Sequence, residues 1–447
     1  MSQPRTAPLQ SSEISVAEIA HRARIASRAL AKLSLAARNE VLLAAAKAIE
    51  DGAKRILDAN ARDCEAAEPD VVAGKMTSAM FARLRVGEKG IAQMATQVRE
   101  VARLADPLGR TLAATELDDG LVLYRESCPL GVIGVIFESR PDVVPQLASL
   151  ALKSGNAAIM KGGSEAAATN ETLVSVWREC LGKFPAVPPD SISLLQSRAD
   201  VMELLAQDRD VDLIIPRGSY DLVRFIMKHS RIPVLGHGEG ICHVYVDRSA
   251  DLKKAVDVTY DSKVQYPAVC NAAETLLVHE AIAPQFLPVA VAKLKQAGVE
   301  IRGDAKTRVL LPGESIVPAT EQDWVTEYGD LILSVKIVAD LDEAIEHVNT
   351  YGSHHTDAIV AEDAEAARRF LNEVDSAGVY QNASTRFADG YRYGFGAEVG
   401  ISTSKLHARG PMGLEGLTTY KYKLIGHGHT VAEYAKGEKK FKHRTLD

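Results

Sequence analysis

Between residues 132 and 229 short apolar runs alternate with helical stretches, and this alternation constrains the fold more than any other feature of the chain. Runs at 132–137, 157–160, 191–195 and 211–215 read as strands, with helical stretches at 142–153, 164–182, 199–206 and 219–229 between them. Such alternation favours a mostly parallel sheet covered by helices on both faces. Gly236, Gly238 and Gly240 then interrupt the chain, and a domain boundary is placed there. A second alternating section runs from Ile241 to about Tyr380, with strands at 241–246, 274–278, 331–338, 357–361 and 377–380. The expected fold class is therefore α/β, with two domains built on parallel-rich sheets.

The flanking segments differ. Val41, Leu42, Ala45, Ala48 and Ile49 share one face at helical spacing, as do Ile91, Met94, Ala95, Val98 and Val101, so the first hundred residues read as helix. Around Asp118-Asp119-Gly120 the pattern becomes strand–turn–strand, giving a hairpin at 112–127 that projects from the first domain. The tail returns as a strand at Thr418–Leu424 and ends in a basic stretch, Lys436 to Arg444, expected to be mobile.

Composition narrows the function classes. With 447 residues the chain can bury large cores without cross-links. The formal charge of -7 argues against a general nucleic-acid grip, which needs a basic face. Five widely spaced cysteines with no CxxC indicate neither a disulfide framework nor a thiolate zinc site, and fit reduced thiols in a cytosol. No run of 18 apolar residues and no signal-peptide core occur, so a soluble cytoplasmic protein with no membrane partner is expected.

Cys270 is the first candidate for chemistry. It follows Pro267 in Gln265-Tyr-Pro-Ala-Val-Cys-Asn-Ala-Ala-Glu274 and precedes the apolar strand Thr275–Val278. A cysteine where a loop feeds a strand can face a cleft beside free backbone amides. A free thiol is only about a tenth ionised near pH 7.5, so a nucleophile needs such amides or a cation beside it. The plain alternative is a small buried apolar residue. Cys64 and Cys180 fall in helices, Cys242 in a strand and Cys128 in a Pro-flanked segment, which suits them less.

The glycine runs Gly236-His-Gly-Glu-Gly240 and Gly394-Phe-Gly-Ala-Glu-Val-Gly400 do not sit between a strand and a helix as a dinucleotide fingerprint must, and are read as turns. Pro216-Arg-Gly-Ser219 does, so its helix N-terminal amides would face an anion, although such junctions are also common without a ligand. His354-His355 and His427-Gly-His429 lack further donors at ligand spacing, and no metal site is expected.

Several strings together resemble the gamma-glutamyl phosphate reductases of the aldehyde dehydrogenase superfamily. They are Tyr266-Pro-Ala-Val-Cys-Asn-Ala-Ala-Glu274, Phe137-Glu-Ser-Arg-Pro141, Leu152-Lys-Ser-Gly-Asn156, Gln381-Asn-Ala-Ser-Thr-Arg386 and Lys405-Leu-His-Ala-Arg-Gly-Pro-Met-Gly-Leu-Glu-Gly416. The likeness runs from about residue 15 to about residue 430. It implies an aldehyde-dehydrogenase-like fold with a nucleotide-binding domain at 1–238, the hairpin 112–127 serving oligomerisation. A catalytic domain at 239–410 and a C-terminal oligomerisation segment at 411–447 follow. The implied activity is NADPH-dependent reduction of L-glutamate 5-phosphate to glutamate 5-semialdehyde and phosphate through a Cys270 thioester, the second step of proline biosynthesis.

The resemblance also implies roles residue by residue. The backbone amide at Cys270 would donate to the oxyanion, with Asn271 beside it. Ser139 takes the place of the Asn donor of hydrolytic relatives. Arg140 is a phosphate clamp or else an ion-pair partner, and Ser384, Thr385 and Arg386 are the candidates for holding the substrate. Lys161, with Ser164 where NAD-preferring relatives often carry Glu, favours NADPH; Gly218 and Ser219 would face the pyrophosphate and Glu327 the nicotinamide ribose. The general-base Glu of aldehyde-oxidising relatives would fall between Leu235 and His237, where none stands; Glu239 lies two to four residues on. An enzyme that reduces its thioester should not activate water against it. A homo-oligomer is implied, with glutamate kinase a further candidate contact. The competing readings are another aldehyde dehydrogenase superfamily oxidoreductase and a non-catalytic relative that kept the fold.

Overall fold

The computed structural model describes residues 14–446 except Ser139, His237 and His407. The chain divides into two compact units. One holds the described residues up to Pro216, Ile226–Val234 and the segment from Leu417 on; the other holds Arg217–Phe225 and Leu235–Gly416.

The first unit opens with helices Val16–Leu30, Leu35–Asp51, Ala53–Val72, Ser78–Leu84 and Glu88–Arg103. Ser15 and Ser34 start the first two, their hydroxyls accepting from the amides of Glu18 and Ala37 at 3.2 Å, which satisfies donors a helix end leaves unpaired. The apolar faces expected from spacing are buried: Val41, Leu42, Ala45 and Ile49 on one helix, Ile91, Met94, Ala95 and Val98 on another. Each large side chain so buried contributes about 1.5–3 kcal/mol.

The sheet of this unit has the order Ile192–Leu194, Ala157–Lys161, Val132–Phe137, Leu213–Arg217, and the first three strands are parallel. The last begins two residues later than the apolar run suggested. Asp212 stands at its start, where its carboxylate accepts from the Val132 amide at 2.8 Å and its own amide donates to the Val132 carbonyl at 2.9 Å.

A separate antiparallel sheet contains the expected hairpin, Thr111–Asp118 and Leu121–Pro129, turning at Gly120 with φ +72°. Thr418–Ile425 pairs with the second of these strands along its whole length. The basic tail is not loose throughout: Arg444–Leu446 pairs with Thr111–Asp118, aligning Glu116 with Arg444 and Ala114 with Leu446.

The second unit is built on seven parallel strands in the order Val317–Pro318, Glu300–Gly303, Ile332–Val338, Ala273–His279, Cys242–Val246, Thr356–Val360, Gly378–Gln381. Alternate residues serve opposite faces. Val244, Leu276, Val278, Val335 and Ala358 pack on one core with Phe286 and Leu287, while Tyr245, Leu277 and Ile359 pack on the other with Ile345 and Phe370. A sheet buried on both faces explains why these strands read as continuous apolar runs. No helix among the described residues is long and apolar enough to cross a membrane.

Candidate active site

Cys270 lies in a tight turn between helix Leu252–Val264 and strand Ala273–His279, closed by the Ala272 amide donating to the Val269 carbonyl at 2.9 Å. The thiol-bearing residue is half-buried. Its backbone is held from below by two residues of the neighbouring strand entrance. Gly240 approaches so closely that a β-carbon there would collide with the Cys270 carbonyl and α-carbon. The Cys242 thiol donates to the Cys270 carbonyl at 3.2 Å. Cys242 is fully buried, and that burial pushes its thiol well above the ordinary range, so it stays protonated as a donor.

The residue after Cys270 is tied down as firmly. Asn271 Nδ2 donates to the Ala388 carbonyl at 2.8 Å, and the Asn271 carbonyl accepts from Thr385 Oγ1 at 2.7 Å. Ser262 Oγ donates to Ser384 Oγ at 3.1 Å and accepts from the Thr385 amide at 3.2 Å. Asn271, Ser384 and Thr385 are thus buried members of a scaffold around the cysteine turn. Arg386 stands apart: its Nε donates to Gln265 Oε1 at 2.9 Å. Burial lowers its guanidinium pKa first, Arg392 lowers it further, and Cys270 pulls the other way. Of these cations, Arg386 is the one that interacts with Cys270.

Glu327 joins the same locale, its Oε2 accepting from the Gly240 amide at 2.9 Å. Gly240 contacts both Cys270 and Glu327, so the second unit brings these two sequence-predicted residues together. Both precede their parallel strands, placing this chemistry at the amino ends of the sheet.

Of the remaining candidates, Gly218 and Ser219 belong to the second unit by chain contacts, and Lys161, Ser164 and Arg140 to the first. In the first unit Lys161 ends its strand and Arg140 lies three residues past the adjacent one, whose Ile136 is aligned with Lys161. Lys161 is buried, and its ammonium donates to the Gly162 carbonyl. Burial lowers its pKa, opposed by Glu165 and Asp200. A desolvated ammonium with most of its donors still available suits a phosphate. Ser164 begins the 3-10 turn Ser164–Ala166 just beyond. Arg140 is largely exposed and pairs locally with Asp142 at 3.3 Å. Gly218 and Ser219 link strand Leu213–Arg217 to helix Tyr220–His229, as the sequence pattern required. Ser139 lies outside the described residues.

The aldehyde dehydrogenase family model matches residues 5–309. The gamma-glutamyl phosphate reductase of Synechococcus sp. (strain JA-2-3B'a(2-13)) is 56% identical over 423 residues, covering 94% of this chain and 92% of its own. The chain belongs to the gamma-glutamyl phosphate reductases of the aldehyde dehydrogenase family. The crystal structure of such a reductase from Thermotoga maritima superposes with a TM-score of 0.90 at 43% identity, covering 93% of this chain and 99% of that one. The fold extends to the glyceraldehyde-3-phosphate dehydrogenase of Methanocaldococcus jannaschii, solved with NADP, at a TM-score of 0.63 and 17% identity over 92% of this chain and 94% of that one. This family places the chain among nicotinamide-dependent oxidoreductases acting on a small molecule.

Family membership sharpens one detail of the site. Glu239, the carboxylate nearest in sequence to the place of the oxidising relatives' base, is half-buried. Its pKa is raised by burial first and by Glu327 second, while Arg224 opposes both. Sequence reasoning missed Gly240 and Cys242 as contacts of Cys270, and Gln265 as the partner of Arg386. Gly240 stood in a glycine run read as a turn. Cys242 gave no signal until strand pairing placed it opposite Ala273.

Proposed function

We propose that the protein reduces L-glutamate 5-phosphate to L-glutamate 5-semialdehyde with NADPH, releasing phosphate, as the second step of proline biosynthesis. The observation that carries this reading is the cysteine turn itself: a half-buried thiol on a backbone fixed by Gly240, Cys242 and Thr385, beside Arg386.

The Cys270 thiolate attacks the acyl-phosphate carbonyl and phosphate departs, leaving a thioester. The backbone amide of Cys270 faces the developing oxyanion, one such donor being worth about 3 kcal/mol. Arg386 is assigned to the anionic substrate, with Arg140 and Ser139 as further contacts. Asn271, Ser384 and Thr385 act by holding the turn. NADPH, when bound, supplies the hydride that takes the thioester to the aldehyde level, after which the Cys270–carbon bond breaks and the thiol is restored. Lys161 with Ser164 would hold the 2'-phosphate, Gly218 and Ser219 the pyrophosphate, and Glu327 the nicotinamide ribose. The cofactor domain is assigned to residues 1–238 and the catalytic domain to 239–410. The hairpin 112–127 and residues 411–447 are assigned to homo-oligomer contacts, with glutamate kinase a further candidate partner and the cytoplasm the compartment.

The test runs the reaction backwards, from pyrroline-5-carboxylate and NADP, with and without inorganic phosphate. Phosphate-dependent NADPH formation is expected. Equal rates without phosphate would mean that water resolves the thioester, and would move the assignment to aldehyde oxidation.

A further inference from the structure

The side chains of Lys263 and Glu274 form an ion pair at 2.6 Å with both fully excluded from solvent, and no step of the proposed reaction uses either. Stability alone explains such a pair poorly, because desolvating two charges offsets most of their attraction and apolar replacements of similar size are often as stable. Its connections explain it better. Glu274 lies four residues past Cys270, and its Oε1 accepts from the Gly329 amide at 3.3 Å. Two residues before Gly329, Glu327 accepts from the Gly240 amide at 2.9 Å. Gly240 in turn lies against the Cys270 backbone. The path from Cys270 through Glu274, Gly329, Glu327 and Gly240 returns to Cys270 as a closed ring.

Tyr328 braces the same loop. Its hydroxyl donates to Asp323 at 2.8 Å and shares a 2.7 Å hydrogen bond with Ser334, and the Lys263 ammonium stands 6.0 Å from its ring centroid. Residues 327, 328 and 329 are therefore each tethered to a different part of the unit. Lys263, near the end of helix Leu252–Val264, adds that helix to the ring.

We propose that Glu274 is a positioning residue that keeps Cys270 and Glu327 in fixed register, with Lys263 holding its carboxylate in place. The proposal rests on the reading of Cys270 as nucleophile and Glu327 as the carboxylate at the nicotinamide ribose. The ring matters for function because the thioester carbon and the hydride donor must meet within a narrow geometry. Linking the residue that bears one to the residue that orients the other removes independent motion between them.

Two double variants isolate this role, since neither leaves an unpaired buried charge. K263M/E274Q keeps an acceptor for the Gly329 amide; K263M/E274L does not. Four quantities are measured on each: melting temperature, dissociation constants for NADPH and for 2',5'-ADP, and the rate of Cys270 alkylation by iodoacetamide. The leucine variant is expected to bind NADPH about tenfold more weakly than the glutamine variant. Binding of 2',5'-ADP, which lacks the nicotinamide half, should be the same in both. The Cys270 alkylation rates should differ by about fivefold or more, the order expected from loss of one buried hydrogen bond.

Equal NADPH affinities and equal alkylation rates in the two variants would overturn the proposal and leave the pair a structural one. If the wild-type protein binds no NADPH, the cofactor reading fails, and the alkylation rates alone decide whether Glu274 positions Cys270. Should K263M/E274L not fold, K263M/E274M makes the same comparison with a more adaptable side chain.

Discussion

Three side chains test distinct parts of the proposed chemistry. Cys270→Ala removes the only atom that bonds to substrate and should abolish turnover while leaving NADPH affinity unchanged, as read by stopped-flow reduction and by cofactor fluorescence. Cys242→Ala is the informative contrast. Its thiol never meets substrate but donates to the Cys270 carbonyl, so its loss should lower kcat about tenfold, the scale of one buried hydrogen bond. An unchanged kcat would show that Gly240 and Thr385 suffice to hold the turn. Lys161 tests cofactor choice. Its ammonium is desolvated with a neighbouring carbonyl as acceptor, and a charge-assisted contact to the 2'-phosphate is worth more than a neutral one. Lys161→Met should raise KM for NADPH about tenfold or more while changing KM for NADH little. Equal effects on the two coenzymes would remove Lys161 from the 2'-phosphate.

Among the elements, helix Leu341–Tyr351 holds a group that should set acid stability. His347 is buried on it, its ring 5.4 Å from Trp324, 5.7 Å from His243 and 4.6 Å from Tyr351, with the Lys336 ammonium 3.4 Å from Nδ1. Burial first, then His243 and Lys336, push its pKa down to about 2. Below the ordinary histidine value the unfolded chain takes up a proton that the folded one refuses, so stability is full above about pH 6.5 and falls as the pH drops. Between pH 6.5 and 5 this amounts to roughly 2 kcal/mol. His347→Asn should flatten that slope in urea titrations at the two pH values, and identical slopes would show that His347 takes up its proton as readily in the folded chain as in the unfolded one. The same elements show what sequence could convey. Strands such as Val132–Phe137 and Cys242–Val246 were legible because a sheet covered on both faces demands unbroken apolar runs. Glu300–Gly303 was not: its four residues, Glu-Ile-Arg-Gly, are too few and too polar to show a period. The turn at Cys270 was legible as a loop feeding an apolar strand, whereas the contacts of Gly240 and Glu274 are set only when distant segments align, and no local pattern encodes those.

At the scale of the whole molecule, the antiparallel sheet of the first unit poses a question of its own. Its outermost strand Thr418–Ile425 is eight residues long, and no described strand pairs with its far edge. Tyr420, Tyr422, Leu424 and Ile425 on it are all exposed by about half or more. A long apolar edge with unpaired amides and carbonyls templates association unless charge or a bulge blunts it. Here Lys421 and Lys423 alternate with the apolar residues, and Lys423 turns to an ion pair with Glu126 on the adjacent strand, which partly neutralises its charge. Pairing this strand with a second copy would satisfy the edge and cover the aromatic row at once, which is the physical content of the proposed homo-oligomer. Tyr422→Glu combined with Leu424→Glu places two like charges on that edge and should shift the wild-type species to a smaller one in sedimentation velocity. The fold should survive, because both side chains point away from the cores. If the wild-type chain sediments as a monomer, or the variant keeps the wild-type mass, the edge is not the contact and the assembly surface must lie elsewhere.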